Sequence, residues 1–194
     1  MNRSRAFCLM TAIFLLFSAF GLPACQKQSY GDVFSSLELL QEKMRDQSLA
    51  FPYPAYLGEA AENAEREFIA VKDPKAEGYN GYKIYQFGSP FFTSVTAYSF
   101  ESDTLMSDES ARMEAAGALR SNYGEITVFQ GKGHKDALFL IGLINIDGAH
   151  YEIRVTSDED MTNNVYTHAI YEENEYHQQA LDLIVSIVNS LQVF

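Results

Sequence analysis

Residues 137–156 read ALFLIGLINIDGAHYEIRVT, and the reading of this stretch decides the fold. Ala137 to Ile146 is an almost continuous apolar run. Asp147-Gly148 then supplies two residues that tolerate positive φ, as a tight hairpin turn requires. Ala149 to Thr156 returns with alternating character. A two-residue turn sets the register. It places Ile144 opposite Tyr151 and Leu140 opposite Val155 on one face, with Ile141 opposite Arg154 and Leu143 opposite Glu152 on the other. The first strand therefore reads as central to a sheet. The second has one apolar and one polar face, which is the pattern of an antiparallel sheet.

Toward the C-terminus, Ser157 to Asn164 reads as an acidic, polar loop. A last helix is predicted over Glu175–Leu191 with Asn174 as its cap. Its inner stripe is Tyr176, Ala180, Ile184, Ile187 and Leu191, widened by Leu183 and Val188. Toward the N-terminus, Gly131-Lys132-Gly133-His134-Lys135 sits between strands as a solvated hairpin turn. Ser107 to Tyr123 reads as a helix capped by Ser107 or Asp108 and closed by Gly124, with a small inner stripe of Ala111, Ala115, Ala118 and Leu119. Phe91–Phe100 and Tyr82–Phe87 are strands across Gly88-Ser89-Pro90, and Phe68–Val71 begins the sheet. On the strand from Phe91, period two puts Phe92, Tyr98 and Phe100 on one face and Phe91, Val95 and Ala97 on the other. Glu59 to Arg66 reads as a polar helical turn or two. Phe51-Pro52-Tyr53-Pro54 forces an extended turn. The first helix is predicted over Val33–Ser48, started by Ser35 with Glu38 or by Asp32, with Val33, Leu37, Leu40 and Met44 on its apolar face. The order helix, three strands, helix, three strands, helix predicts one α+β domain over 32–194. Its mainly antiparallel sheet of about six strands would be flanked by helices, in the manner of an α/β/α sandwich.

The first twenty-five residues follow another logic. Arg3 and Arg5 form a positive start, and Ala6–Phe20 is apolar apart from Thr11 and Ser18. Gly21 and Pro23 then break any helix. This is the layout of a secretory signal, and the run is short for a membrane span of roughly 20 residues. The tetrad Leu22-Pro23-Ala24-Cys25 resembles the lipobox of bacterial lipoproteins. The resemblance implies that residues 1–24 are a signal peptide cut after Ala24. Cys25 would then carry diacylglycerol, and its new amine would be open to a further acyl chain such as palmitate. Residues 25–31 would be the lipidated cysteine and a short tether. The implied location is the cell membrane or outer membrane, facing periplasm or exterior, and Gln26 after the cysteine fits outer-membrane sorting in a diderm.

The end of the chain, Tyr151-Glu152-Ile153-Arg154-Val155 and the helix closing on Ile187-Val188-Asn189-Ser190-Leu191, resembles PsbP-like domains. That resemblance implies an α/β/α sandwich acting as an assembly or binding module. It assigns no functional residue.

Cleavage after Ala24 leaves 170 of the 194 residues and moves the formal charge from −12 to −14, because Arg3 and Arg5 go with the signal. An acidic surface repels phosphate backbones, so nucleic acid is not an expected partner. The two cysteines are Cys8 and Cys25. With one in the signal and one acylated, the mature domain has no thiol for a disulfide, a nucleophile or a metal. Fourteen Phe and twelve Tyr with no Trp point to an aromatic-rich core.

Each candidate for chemistry falls short in its spacing. Gly131–Lys135 lacks the Walker pattern and a following helix. Asp158, Asp160, Thr162 and Asn164 alternate like the start of a calcium loop, but Asn163 and Ala169 stand where glycine and glutamate are needed. His168, Glu172, Glu173 and His177 match no HExxH zinc pattern. His150 beside the turn pairs with Asn145 on the polar face and has no nucleophile fixed nearby. No cofactor is implied. The expectation is a membrane-anchored, non-catalytic envelope lipoprotein that binds or scaffolds an unidentified protein or small molecule. The rivals are a small-ligand carrier, with a pocket lined by Phe92, Tyr98 and Tyr151, and a hydrolase with an inconspicuous site.

Overall fold

The computed structural model describes residues 31–192 except 60–64, 74–76, 88–89, 100–109, 112, 161–164 and 173. The predicted signal, Ala24 and Cys25 therefore lie outside the described residues, as does most of 59–66. Gly31 to Phe194 forms one compact unit.

The 137–156 hairpin forms with the expected register. β8 (Leu138–Ile146) and β9 (Ala149–Asp160) pair Ile144 with Tyr151, Leu140 with Val155, Ile141 with Arg154 and Leu143 with Glu152. Asp147 and Gly148 take positive φ of 49° and 81° at the turn. β9 is central too, because its other edge pairs with β5 (Phe91–Ser99). From there β4 (Tyr79–Gln86), β3 (Arg66–Lys72) and β1 (Gly31–Phe34) follow outward on one side. β7 (Ile126–Lys132) and β6 (Leu119–Tyr123) follow on the other side of β8. The order is β1-β3-β4-β5-β9-β8-β7-β6, with β10 (Val165–Thr167) on the far end of β9, and these pairings are antiparallel. β2 (Tyr53–Pro54) and β11 (Leu191–Gln192) make a separate two-stranded pair.

Among the described residues the sheet thus has nine strands where about six were predicted, and each extra strand has a local cause. Gly31–Phe34 is not the first turn of a helix. It runs along β3, and Val33 is 68% exposed at the sheet edge. Ser36, rather than Ser35 or Asp32, caps the first helix (Leu37–Asp46), its Oγ accepting from the Leu39 N–H at 3.3 Å. The predicted helix over 107–123 is helical only near 110–115 among the described residues. Gly117, at φ 76°, ends it, and Leu119–Tyr123 runs as an exposed edge strand. A chain with no continuing apolar stripe gains nothing by staying helical there. Gly124, expected as a helix stop, turns β6 into β7 at φ 62°. The acidic stretch from Ser157 continues β9 to Asp160, opposite Val165–Thr167.

The first helix and the C-terminal helix (Glu175–Asn189) share one face of the sheet. Leu40 and Met44 from the one, and Ala180, Leu181, Ile184 and Ile187 from the other, pack with Tyr82, Ile84, Val95, Leu140, Tyr151 and Ile153 in the main core. Asn174 caps the last helix as expected, Oδ1 accepting from the His177 N–H at 3.0 Å. On the second face Met113 packs on Phe129 and Ile141 in a smaller cluster. The C-terminal helix approaches β8 where there is no side chain to hold it off. A Cβ on Gly142 would lie 2.5 Å from Ile184 Cγ2 and 3.3 Å from Ile126 Cγ2. Gly142→Ala should lower stability by about 1–3 kcal/mol through overpacking, read from the denaturation midpoint. An unchanged midpoint would contradict this seating of the helix.

Candidate functional site

Two concavities stand out, and the first depends on how Phe51–Leu57 is held. Pro52 and Pro54 keep this stretch extended, so it cannot hydrogen-bond within itself. Its bonds go elsewhere. The Pro52 carbonyl accepts from Tyr82 Oη at 2.8 Å and Tyr151 Oη at 2.9 Å. Tyr53 and Pro54 pair with Gln192 and Leu191. The Ala55 N–H donates to the Ser190 carbonyl at 3.1 Å, and the Tyr56 N–H to Ser190 Oγ at 3.1 Å. The Leu57 carbonyl accepts from Gln86 Nε2 at 3.1 Å. The Tyr53 ring stacks on Tyr82 with centroids 4.6 Å apart.

This pinned segment makes one wall of a groove of about 530 Å³. Pro54, Ala55 and Leu57 face Leu37 and Gln41 of the first helix across a floor of Phe68 and Ile84. Arg66, Ser35, Ser36 and Glu38 also line it. The Arg66 Nε–H donates to Gln86 Oε1 at 2.9 Å, and Gln86 is fully buried. The arginine is therefore held at its inner nitrogen. Among the described residues no carboxylate pairs with its outer nitrogens. Glu38 stays charged, because its own backbone N–H and the Ser36 side chain hold its carboxyl below the usual range.

The second concavity, about 380 Å³, lies on the other face. Phe129, Leu143 and Ile144 are lined up with Ser110, Glu114, Arg120, Glu125, Thr127, Asn145 and His150. Its polar groups are largely engaged with one another. Arg120 pairs with Glu114 at 3.2 Å, Thr127 Oγ1 donates to Asn122 at 3.3 Å, and His150 Nδ1 lies 2.5 Å from Asn145 Oδ1. The pairing of His150 with Asn145 is the one expected from the turn.

The aromatic pocket expected from Phe92, Tyr98 and Tyr151 is not assembled. Tyr151 sits opposite Ala97 in the helix-covered core and is fully buried. Phe92 and Tyr98 point to the other face by period-two geometry, where Phe92 meets Tyr85 and Phe87 at 5.6 and 5.0 Å. Asp158 and Asp160 stand opposite Thr167 and Val165 in a strand pair; Thr162 and Asn164 lie outside the described residues. His168 takes positive φ and packs its ring on Tyr176 at 5.0 Å. Among the described residues no group of three or more His, Cys, Asp and Glu is placed to hold a metal ion, and Glu173 lies outside them. Gly131 and Lys132 finish β7, and the Gly133 N–H donates to the Ala137 carbonyl at 2.6 Å, as a hairpin connection. Nothing in the sequence singles out Arg66 and Gln86. Neither sits in a motif, and only the register of β3 on β4 places them side by side.

No family model, curated protein or solved structure matches the chain. No helix among the described residues is long and apolar enough to cross a membrane.

At the sheet edge Asp32 accepts from Tyr79 Oη and pairs with Lys72 at 2.8 Å. The hydrogen bond to Asp32, then burial, pushes the Tyr79 phenol up to about 12. Burial pushes Tyr53 up to about 12 and raises Tyr82 and Tyr151 as well. A raised phenol pKa favours the folded state only while the unfolded phenol is still protonated. The contribution is complete below about pH 10 and lost as pH rises through about 12. Stability should therefore hold to about pH 9 and fall between pH 10 and 12, with phenolate absorbance rising alongside unfolding. Among the described residues Tyr53 Oη has no hydrogen-bond partner. Tyr53→Phe should then cost no stability at pH 7 and flatten the alkaline fall, whereas a fall of unchanged steepness would contradict the assignment.

Proposed function

We propose that the chain is a lipid-anchored envelope protein whose domain serves as a non-catalytic binding or assembly module. The observation that carries this reading is the tetrad Leu22-Pro23-Ala24-Cys25, followed by only five residues, Gln26 to Tyr30, before β1 begins at Gly31. Six Cα-to-Cα steps from Cys25 reach at most about 21 Å. An acylated Cys25 would hold the domain close against the bilayer. Each buried methylene contributes about 0.8 kcal/mol, so two or three acyl chains anchor stably where one does not. The acidic surface is repelled by anionic headgroups and by nucleic acid, which leaves a protein or a small molecule as partner. The likeness of the chain's end to PsbP-like domains points the same way, to assembly rather than catalysis.

A second reading, a carrier for a small apolar ligand, is favoured by the groove beside the first helix. Its floor of Phe68 and Ile84 differs from the aromatic trio expected in the sequence.

The native protein should enter the detergent phase on phase separation, and Cys25→Ser should move it to the aqueous phase. Intact mass should place the mature N-terminus at residue 25 with an acylated thiol. A native chain beginning upstream of residue 25, or a free thiol there, would overturn the anchor. Repeated failure to recover any partner from detergent-solubilised envelope would count against the assembly role.

A further inference from the structure

We propose that the groove between the first helix and Pro54–Leu57 binds a single-chain lipid. Its acyl tail would lie on Phe68 and Ile84 and its anionic head, carboxylate or phosphate, on Arg66. The inference builds on the carrier reading and names its ligand; it does not require that Cys25 be acylated.

Three features lead there. The volume, about 530 Å³, falls within the range of about 300–1,000 Å³ usual for small-molecule sites. The floor is the face of β3 and β4 at Phe68 and Ile84, two positions where the strand backbone is paired on both edges within the sheet. A peptide laid on that floor would bury its own amides without partners, which is unfavourable. An acyl chain has no such groups. The third feature is Arg66. It is a cation in a chain of formal charge −12. Its Nε is tied to the buried Gln86, which is itself tied to the Leu57 carbonyl. The outer guanidinium nitrogens are thus preset at the groove, in the fork geometry that takes carboxylate or phosphate oxygens. Glu38 lines the same groove and works against an anion.

The test uses the full chain in its membranes, labelled with a palmitate analogue carrying a mid-chain diazirine. Cross-linked peptides are then mapped by mass. Label should fall on peptides containing Leu57, Phe68 or Ile84. The methyl ester of the probe should label them about tenfold less, because a charged hydrogen bond is lost. Arg66→Ala should cause a similar loss at a temperature below its thermal midpoint, which itself falls because buried Gln86 Oε1 loses its donor. Arg66→Lys should cause a smaller loss of labelling, and Glu38→Gln should increase labelling. Competition by free palmitate identifies the carboxylate as the natural head, and competition by a lysophospholipid alone identifies the phosphate; either supports the proposal. Equal labelling by acid and ester would leave a carrier groove but overturn the role of Arg66. Label confined to other peptides would overturn both. The same experiment on Cys25→Ser separates these outcomes from loss of the anchor.

Discussion

The carbonyl oxygen of Pro52 is the point on which the helix-covered half of the molecule turns. It is buried, and it accepts from two phenols at 2.8 and 2.9 Å. Tyr82 comes from β4 and Tyr151 from β9, strands separated by β5. One carbonyl therefore ties an extended, proline-stiffened segment across the middle of the sheet. A buried carbonyl left with no donor costs about 1–3 kcal/mol, so the segment cannot lift without loss. Tyr53 follows at once and stacks on Tyr82, and Phe51 meets the same ring edge-on at 5.8 Å.

The consequences run along the chain in both directions. Upstream, the segment closes the space under the first helix, whose Leu40 and Met44 are fully buried. Downstream, Tyr53 and Pro54 pair with the strand that follows the C-terminal helix, and Ser190 receives two further backbone N–H groups. The two helices are thereby joined through this segment as well as through the sheet. At its end Leu57 meets Gln86, and Gln86 sets Arg66. The wall and the charged rim of the groove are thus parts of one hydrogen-bonded path that begins at Pro52.

How much of this was legible follows from what kind of signal each part carries. The β8–β9 hairpin was readable to single residue pairs, because a two-residue turn and period-two alternation leave one register. The capping asparagine and apolar stripe of the last helix were readable for the same local reason. β1 reads as helix in the sequence because Val33 and Phe34 precede Leu37 at a spacing compatible with one helical face, and only β3 beside them makes a strand worth more. β6 reads as helix in the sequence because Leu119 extends an alanine stripe that Gly117, at positive φ, ends. The aromatic pocket failed on parity. Tyr151 pairs with Ala97, and Phe92 and Tyr98 have the opposite parity to Ala97 on β5, so the three belong to different faces. The groove was invisible because Arg66, Gln86 and Leu57 meet only through tertiary pairing. The lipid-anchor reading stands on the first twenty-five residues alone.

The central claim is that two phenols share one carbonyl, and a double-mutant cycle on Tyr82→Phe and Tyr151→Phe tests it most directly. Each single change leaves one donor on Pro52 and should cost about 1 kcal/mol. The double change leaves the carbonyl bare, and should cost more than the two single losses together by at least about 1 kcal/mol. Losses that add to within about 0.5 kcal/mol would mean that the two hydroxyls act independently, and the account of the segment as a clamp would be wrong.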